Sequence, residues 1–326
     1  MRATTIVTAA LAGVVLTCSV RLATSQLLAI DPGTRPDVSP ESSPLQVVNP
    51  VAKDNHRGLA LLRRPPGNGP FPAVVIVHPG MTTFSQTALT EYMLRAAPPS
   101  RFLAAGYVVA LTTYRSREVD PQSSVSANDV AATVDYVRKL DFVDAKSIGL
   151  IGCSGGGDLA LEIATTTDVA AIVAEEPASM MFTGVFNQDV PKAGERFTPQ
   201  DSMPIVADPA RHFSEKYQRF TRGKIATIRS PILIVQGDEQ SPLNRWNAEV
   251  LVPELRRAEK RVAVNSHAGE RHCFAWDGRT PDGTWRHAPA AAKAHGEADE
   301  FFRRHLSTQP KPVSASLVKH VPLESR

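Results

Sequence analysis

Residues 147–164 read SIGLIGCSGGGDLALEIA, and the fold is decided by the order in which that stretch changes character. Residues 147–151 have the short apolar make-up of a buried strand, and a helix is predicted from about residue 156 to 165. Between them Gly152-Cys153-Ser154-Gly155-Gly156 forms a G-x-S-x-G. A sharp strand-to-helix turn forces its central serine into a strained backbone conformation, and glycines on either side let the chain pass close to itself. A bare G-x-S-x-G is often only a flexible turn. Its placement between strand and helix predicts Ser154 as a nucleophile.

Working outward, strands and helices alternate. Residues 73–77 form a continuous β-branched run, as expected of a strand covered on both faces. Residues 87–105 have helical spacing interrupted at Pro98-Pro99, residues 107–111 read as a strand, and residues 127–140 carry Val130, Val134 and Val137 on one helical face. Further strands are predicted at 169–174, 232–236 and 261–264, with helices at 244–260 and 289–304. Residues 58–63 read as an early hairpin strand closed by the breaker cluster at 65–69. This alternation predicts an α/β fold with a doubly wound, mostly parallel sheet. It is interrupted once, at 177–230, where Met180, Met181, Phe182, Phe186 and Phe213 suggest an inserted partial cap.

The whole chain has 326 residues, 42% hydrophobic and 21% charged, which fits a globular enzyme. Its 36 basic and 33 acidic residues are dispersed, so no phosphate-tracking block points to nucleic acid. Arg2, an apolar run at 6–16 too short to span a bilayer, and Ala23-Thr24-Ser25 read as a secretory signal peptide over 1–25. The expected location is therefore secreted or periplasmic, with no membrane span. An extended lead-in is expected at 26–44, the enzyme domain at 45–306, and a loose tail at 307–326. Beyond the signal, Cys153 and Cys273 remain. They are expected to pack as small buried hydrophobes, a disulfide being the alternative if their Cα atoms come within about 7 Å. No CxxC zinc pattern occurs, and neither a metal nor an organic cofactor is expected.

A serine hydroxyl near neutral pH needs a base. His272, in Gly269-Glu270-Arg271-His272-Cys273-Phe274 after the final strand, is the expected one, with His267 as the fallback. The orienting acid should follow the penultimate strand, where Asp238 and Glu239 compete. Residues 128–164, together with GDEQSP and GERHCF, resemble the dienelactone hydrolase and prolyl-oligopeptidase-like branch of the α/β-hydrolase superfamily over roughly residues 73–304. The resemblance implies hydrolysis of a carboxylic ester or related acyl bond, in a small-molecule or polymeric substrate, by a triad of Ser154, Asp238 and His272. One departure stands out, because relatives place the acid three residues after the glycine, where this chain has Gln240. Asp238 is favoured, with Glu239 from the same loop, or Glu175 or Glu176 after the preceding strand, as alternatives.

One oxyanion-hole N–H is expected from Gly155, at a helix start where N–H groups are unpaired. The second should come from His78-Pro79-Gly80-Met81. Pro79 has no N–H, and similarity to cutinase-like polyesterases implies Met81. Met181 and Phe182 are the expected substrate contacts. Arg115 is expected to brace a loop against Asp129 rather than bind a substrate carboxylate. The competing functions are a prolyl-oligopeptidase-like peptidase, whose propeller has no room in the lead-in, and a non-catalytic binding protein that keeps the fold.

Overall fold

The computed structural model describes residues 34–117, 124–185, 207–237, 241–276 and 289–322. An eight-stranded sheet runs through it, built from β2 (Gln46–Val48), β3 (Ala60–Arg63), β4 (Phe71–Val77), β5 (Val108–Thr112), β6 (Val143–Cys153), β7 (Ala171–Glu175), β8 (Ile232–Gln236) and β9 (Val262–Ser266). The order is β2-β3-β5-β4-β6-β7-β8-β9. The first two pairings, β2 with β3 and β3 with β5, are antiparallel, and all later ones are parallel. The doubly wound, mostly parallel sheet expected from the alternation is what forms.

Strand side chains alternate between two buried layers, as the period of two requires. On β4, Ala73, Val75 and Val77 face one layer, and Val74 and Ile76 face the other. The first layer is completed by α3 (Ser124–Arg138), α4 (Gly155–Ile163), α5 (Glu215–Thr227) and α7 (Val252–Arg257). The second is completed by α1 (Gln86–Arg95), α2 (Ala97–Ala105) and α8 (Pro289–His305). Between β8 and α7 lie the short α6 (Pro242–Trp246) and a π-helical turn, Asn247–Leu251. The break predicted at Pro98-Pro99 falls just ahead of them. Ala96 is extended and α2 begins at Ala97, so both prolines occupy a first turn whose N–H groups have no helical partner. Among the described residues no helix is long and apolar enough to cross a membrane.

Two regions differ from the sequence reading. The tail is not loose: β10 (Val318–Pro322) pairs antiparallel with β1 (Thr34–Val38), which lies in the lead-in. Val313 N–H donates to Ala104 O at 2.8 Å, and Thr308 Oγ1 donates to Asp144 Oδ2 at 2.6 Å. A five-residue strand whose partner lies near the other end of the chain leaves no local periodicity to read. In the insertion, α5 buries Ile225 in the main core, followed by Ile228, so the described second half covers the sheet as an ordinary helix of the fold. Residues 186–206 of the cap-like segment, including Phe186, lie outside the described residues.

Candidate active site

The elbow is set by how closely chain segments pass one another. A Cβ on Gly156 would lie 2.4 Å from the carbonyl oxygens of both Val77 and His78, and one on Gly152 would lie 2.3 Å from Gly156 O. Only glycine fits, so β6 can turn into α4 within one residue. That residue is Ser154, at φ 54° and ψ −118°, the strained conformation that the motif demands. Its N–H donates to Glu175 O at 2.9 Å, and its carbonyl accepts from Ala178 N–H at 3.0 Å, so the strained residue is anchored to the neighbouring strand and the segment after it.

Gly155 is the first residue of α4 and presents an N–H that no helical carbonyl can satisfy. The loop after β4 lies against it, and a Gly155 Cβ would sit 2.1 Å from Gly80 O. Tyr114 Oη donates to that same Gly80 oxygen at 2.7 Å, and the Arg117 N–H donates to Met81 O at 2.7 Å. In a trans peptide the C=O and N–H point in opposite directions. With Gly80 O turned toward Tyr114, the Met81 N–H is aimed away from it. His78 supports the loop from below, stacked between Phe84 and Tyr114 with ring centroids 3.8 and 4.3 Å away. Burial pushes its imidazole down to about 4, so it is neutral near pH 7 and serves as scaffold.

His272 follows β9 in a loop tied to the elbow by a covalent bond. Cys153 and Cys273 form a disulfide with a Cα–Cα distance of 6.2 Å, which replaces the expected pair of free, packed thiols. Ser154 and His272 each lie one residue from a bridged Cα, and their own Cα atoms are therefore no more than about 14 Å apart. One carboxylate oxygen of Glu176 lies with the two sulfurs inside 4.8 Å. Because the sulfurs are bonded to each other, no thiolate is available to bind a metal.

The acid facing His272 comes directly after β7. Glu176 Oε2 lies 3.7 Å from His272 Nδ1 and also accepts the Cys273 N–H, while Oε1 accepts from Gly237 N–H at 3.0 Å and Asn244 Nδ2 at 2.9 Å. Burial pushes the Glu176 carboxyl above its usual range, and the hydrogen bonds from Asn244, Gly237 and Cys273 act in the opposite direction. Asp238 and Glu239 lie outside the described residues. Glu175 points elsewhere. It is buried with neither oxygen hydrogen-bonded to a described residue, and burial, with Glu176 as a second cause, pushes it up to about 8. His267, the fallback base, is engaged with Glu297, its Nε2 lying 3.1 Å from the carboxylate.

Sequence reading did not find Asn244, Arg117 or Asp158. Arg117 and Asp158 form a buried ion pair at 2.9 Å, and Asp158 Oδ1 also accepts the Phe182 N–H at 2.7 Å, tying the loop after β5 to α4 and to the segment after β7. Asp158 was visible one turn into the helix that follows the elbow, but nothing local marks its partner 41 residues earlier. Arg115 braces Asp129 at 2.8 Å and also reaches Asp54 at 2.7 Å. Met181 joins Met180, Trp246 and Val250 in a small apolar cluster against which Met81 packs. Phe182, expected to touch substrate, is instead fully buried in the main core.

Known proteins share this architecture. Carboxyl esterase 2 of the mycorrhizal fungus Tuber melanosporum superposes with a TM-score of 0.58 at 18% identity, covering 81% of this chain and 88% of its own. An esterase of Pyrobaculum calidifontis gives 0.57 at 17%, covering 80% and 85%. A puromycin hydrolase gives 0.59 at 18%, covering 83% of this chain but only 41% of its own. No curated protein sequence matches the chain. The BD-FAE family model matches residues 60–251, which hold the elbow, the loop after β4 and Glu176. With the strand order and the strained Ser154 elbow, that match makes the chain a member of the BD-FAE family within the α/β-hydrolase superfamily.

Proposed function

We propose that the protein is a serine hydrolase of carboxylic esters that works through an acyl-enzyme on Ser154, with His272 as base and Glu176 as the orienting acid. The observation that carries this reading is the strained Ser154 beside a helix N-terminus, joined through the Cys153–Cys273 bridge to a histidine that faces a buried carboxylate. Ser154 Oγ attacks the ester carbonyl as the His272 imidazole removes its proton. The tetrahedral oxyanion accepts hydrogen bonds from the N–H groups of Gly155 and Met81. His272 then donates the proton to the departing alcohol, and water repeats the sequence to release the acid. Glu176 holds the imidazole tautomer. Its 3.7 Å separation from Nδ1 is longer than a hydrogen bond, as is common before substrate binds.

Met81 at the oxyanion loop, with Met180, Met181 and Trp246 behind it, favours an apolar acyl group of modest length. The relatives named esterases support ester over peptide substrates. Export to an oxidising compartment is part of the proposal, since the signal-like start and a disulfide belong together. The test is a fluorophosphonate probe with peptide mapping, alongside p-nitrophenyl esters of graded chain length and aminoacyl amides. Labelling at Ser154 with preferential turnover of short esters is expected. Absence of labelling at Ser154, or faster turnover of amides, would overturn it.

A further inference from the structure

The Cys153–Cys273 bridge joins the residue before the nucleophile to the residue after the base. We infer that Cys153 and Cys273 are positioning residues for the reaction, their bond holding the His272 loop in register with Ser154 and Glu176, so that a dithiol reductant switches activity off. The inference rests on the proposed Ser154–His272–Glu176 reading and adds to it a dependence on redox state.

Three observations place this bond in the machinery rather than at a distant staple point. Cys153 ends β6, is fully buried, and pairs in register with Glu175 on β7, so one end of the bridge is as rigid as the sheet. Cys273 stands at φ 61°, a left-handed conformation that a non-glycine residue adopts only when its surroundings impose it. Its N–H donates to Glu176 Oε2, the same oxygen that faces His272 Nδ1. The bond therefore fixes a single residue that sets both the exit direction of His272 and one hydrogen bond on the acid. Residues 270–273 are partly or largely exposed and carry no regular secondary structure, and burial resumes only at Phe274. Opening the bridge frees the loop from the elbow while leaving both core layers in place.

Reduction is balanced by a dithiol such as dithiothreitol. The S–S bond takes up two electrons and two protons to give two thiols, and the reagent closes to its cyclic disulfide. A displacement of the base by about 1 Å is enough to lower the rate on the order of 10²-fold.

The experiment measures fluorophosphonate labelling of Ser154 and ester kcat and KM on the oxidised protein, on the protein titrated with dithiothreitol, and on a C153A/C273A variant. Near-UV circular dichroism is followed throughout, and alkylation of the two cysteines is mapped by peptide. Oxidised protein should label at Ser154 with both cysteines unalkylated. Reduced or doubly substituted protein that keeps its near-UV signal should label about 10²-fold more slowly, with kcat falling and KM little changed. Equal labelling rates in folded oxidised and folded reduced protein overturn the inference while the serine mechanism stands. So does free alkylation of Cys153 and Cys273 in the active protein. Activity and near-UV signal lost together at one dithiothreitol concentration overturn it in favour of a purely stabilising bond. If the oxidised protein fails to label at Ser154, the proposed function is what has failed, and the positioning role falls with it.

Discussion

Ser154 and Glu176 occupy equivalent places on neighbouring strands. Each follows directly after the strand end, where Cys153 and Glu175 are paired in register, and each has a positive φ, 54° and 42° respectively. Both strained residues sit at the carboxyl edge of a parallel sheet, where open α/β sheets bind their ligands. They differ in what surrounds them. Ser154 is enclosed by glycines because three backbone segments converge there. Glu176 lies between Glu175 and Pro177, and its conformation is held by hydrogen bonds from Gly237, Asn244 and Cys273. Strain that depends on close backbone approach writes itself into the sequence as glycine. Strain that depends on distant donors does not.

That difference can be broken from the elbow side with the largest effect. Ser154→Ala should lower kcat on the order of 10⁶-fold if Ser154 and His272 act as a unit. Folding should be unimpaired, as checked by circular dichroism and steady-state hydrolysis of a p-nitrophenyl ester. A backbone test comes next. Gly156→Ala places a methyl 2.4 Å from two carbonyl oxygens and should cost about 3 kcal/mol or more, read from urea unfolding, because neither backbone segment can move aside. Glu176→Gly, by contrast, relieves its positive φ. It should abolish most activity, and because the Gly237, Asn244 and Cys273 N–H groups then lose their acceptor it should still cost about 1–3 kcal/mol or more, so that its loss, unlike that of Gly156→Ala, comes from unpaired donors and not from a backbone clash.

The smallest expected effect sharpens the contrast between the adjacent carboxyls. Glu175 is raised from an ordinary 4.5 to about 8. The folded state keeps the proton that the unfolded state releases, so the stability belonging to the neutral acid is complete below about 4.5 and is lost as pH rises toward 8. Glu175→Gln removes that titration. Its unfolding free energy should vary less with pH across this window than that of the unchanged protein, with little change in kcat at pH 7. An identical pH slope for the two proteins would show that Glu175 does not remain protonated on folding.

The same distinction explains what was legible in the sequence. The β8 strand is read to the residue because apolar period and flanking breakers are local, and the Ser154 elbow because its constraint is local too. The disulfide could be offered only as an alternative, since a separation of 120 residues carries no geometry until the sheet brings the two loops together. Asn244 escaped notice because its role is defined only by Glu176, which itself has no flanking signature. Phe182 was misplaced for a related reason. An apolar residue after a strand reads the same whether it faces a cleft or a core, and the residues that enclose Phe182 come from several distant elements of the main core.

In the proposed triad the acid comes from the turn after β7, in register with Ser154. This placement is tested most directly by measuring kcat for Glu176→Gln beside Asp238→Asn, each with its fold verified. An amide at the orienting position favours the wrong imidazole tautomer and should lower kcat by about 10⁴. That loss is expected for Glu176→Gln, with a change of no more than a few-fold for Asp238→Asn. A collapse in Asp238→Asn with Glu176→Gln left nearly as active as the unchanged protein would contradict it.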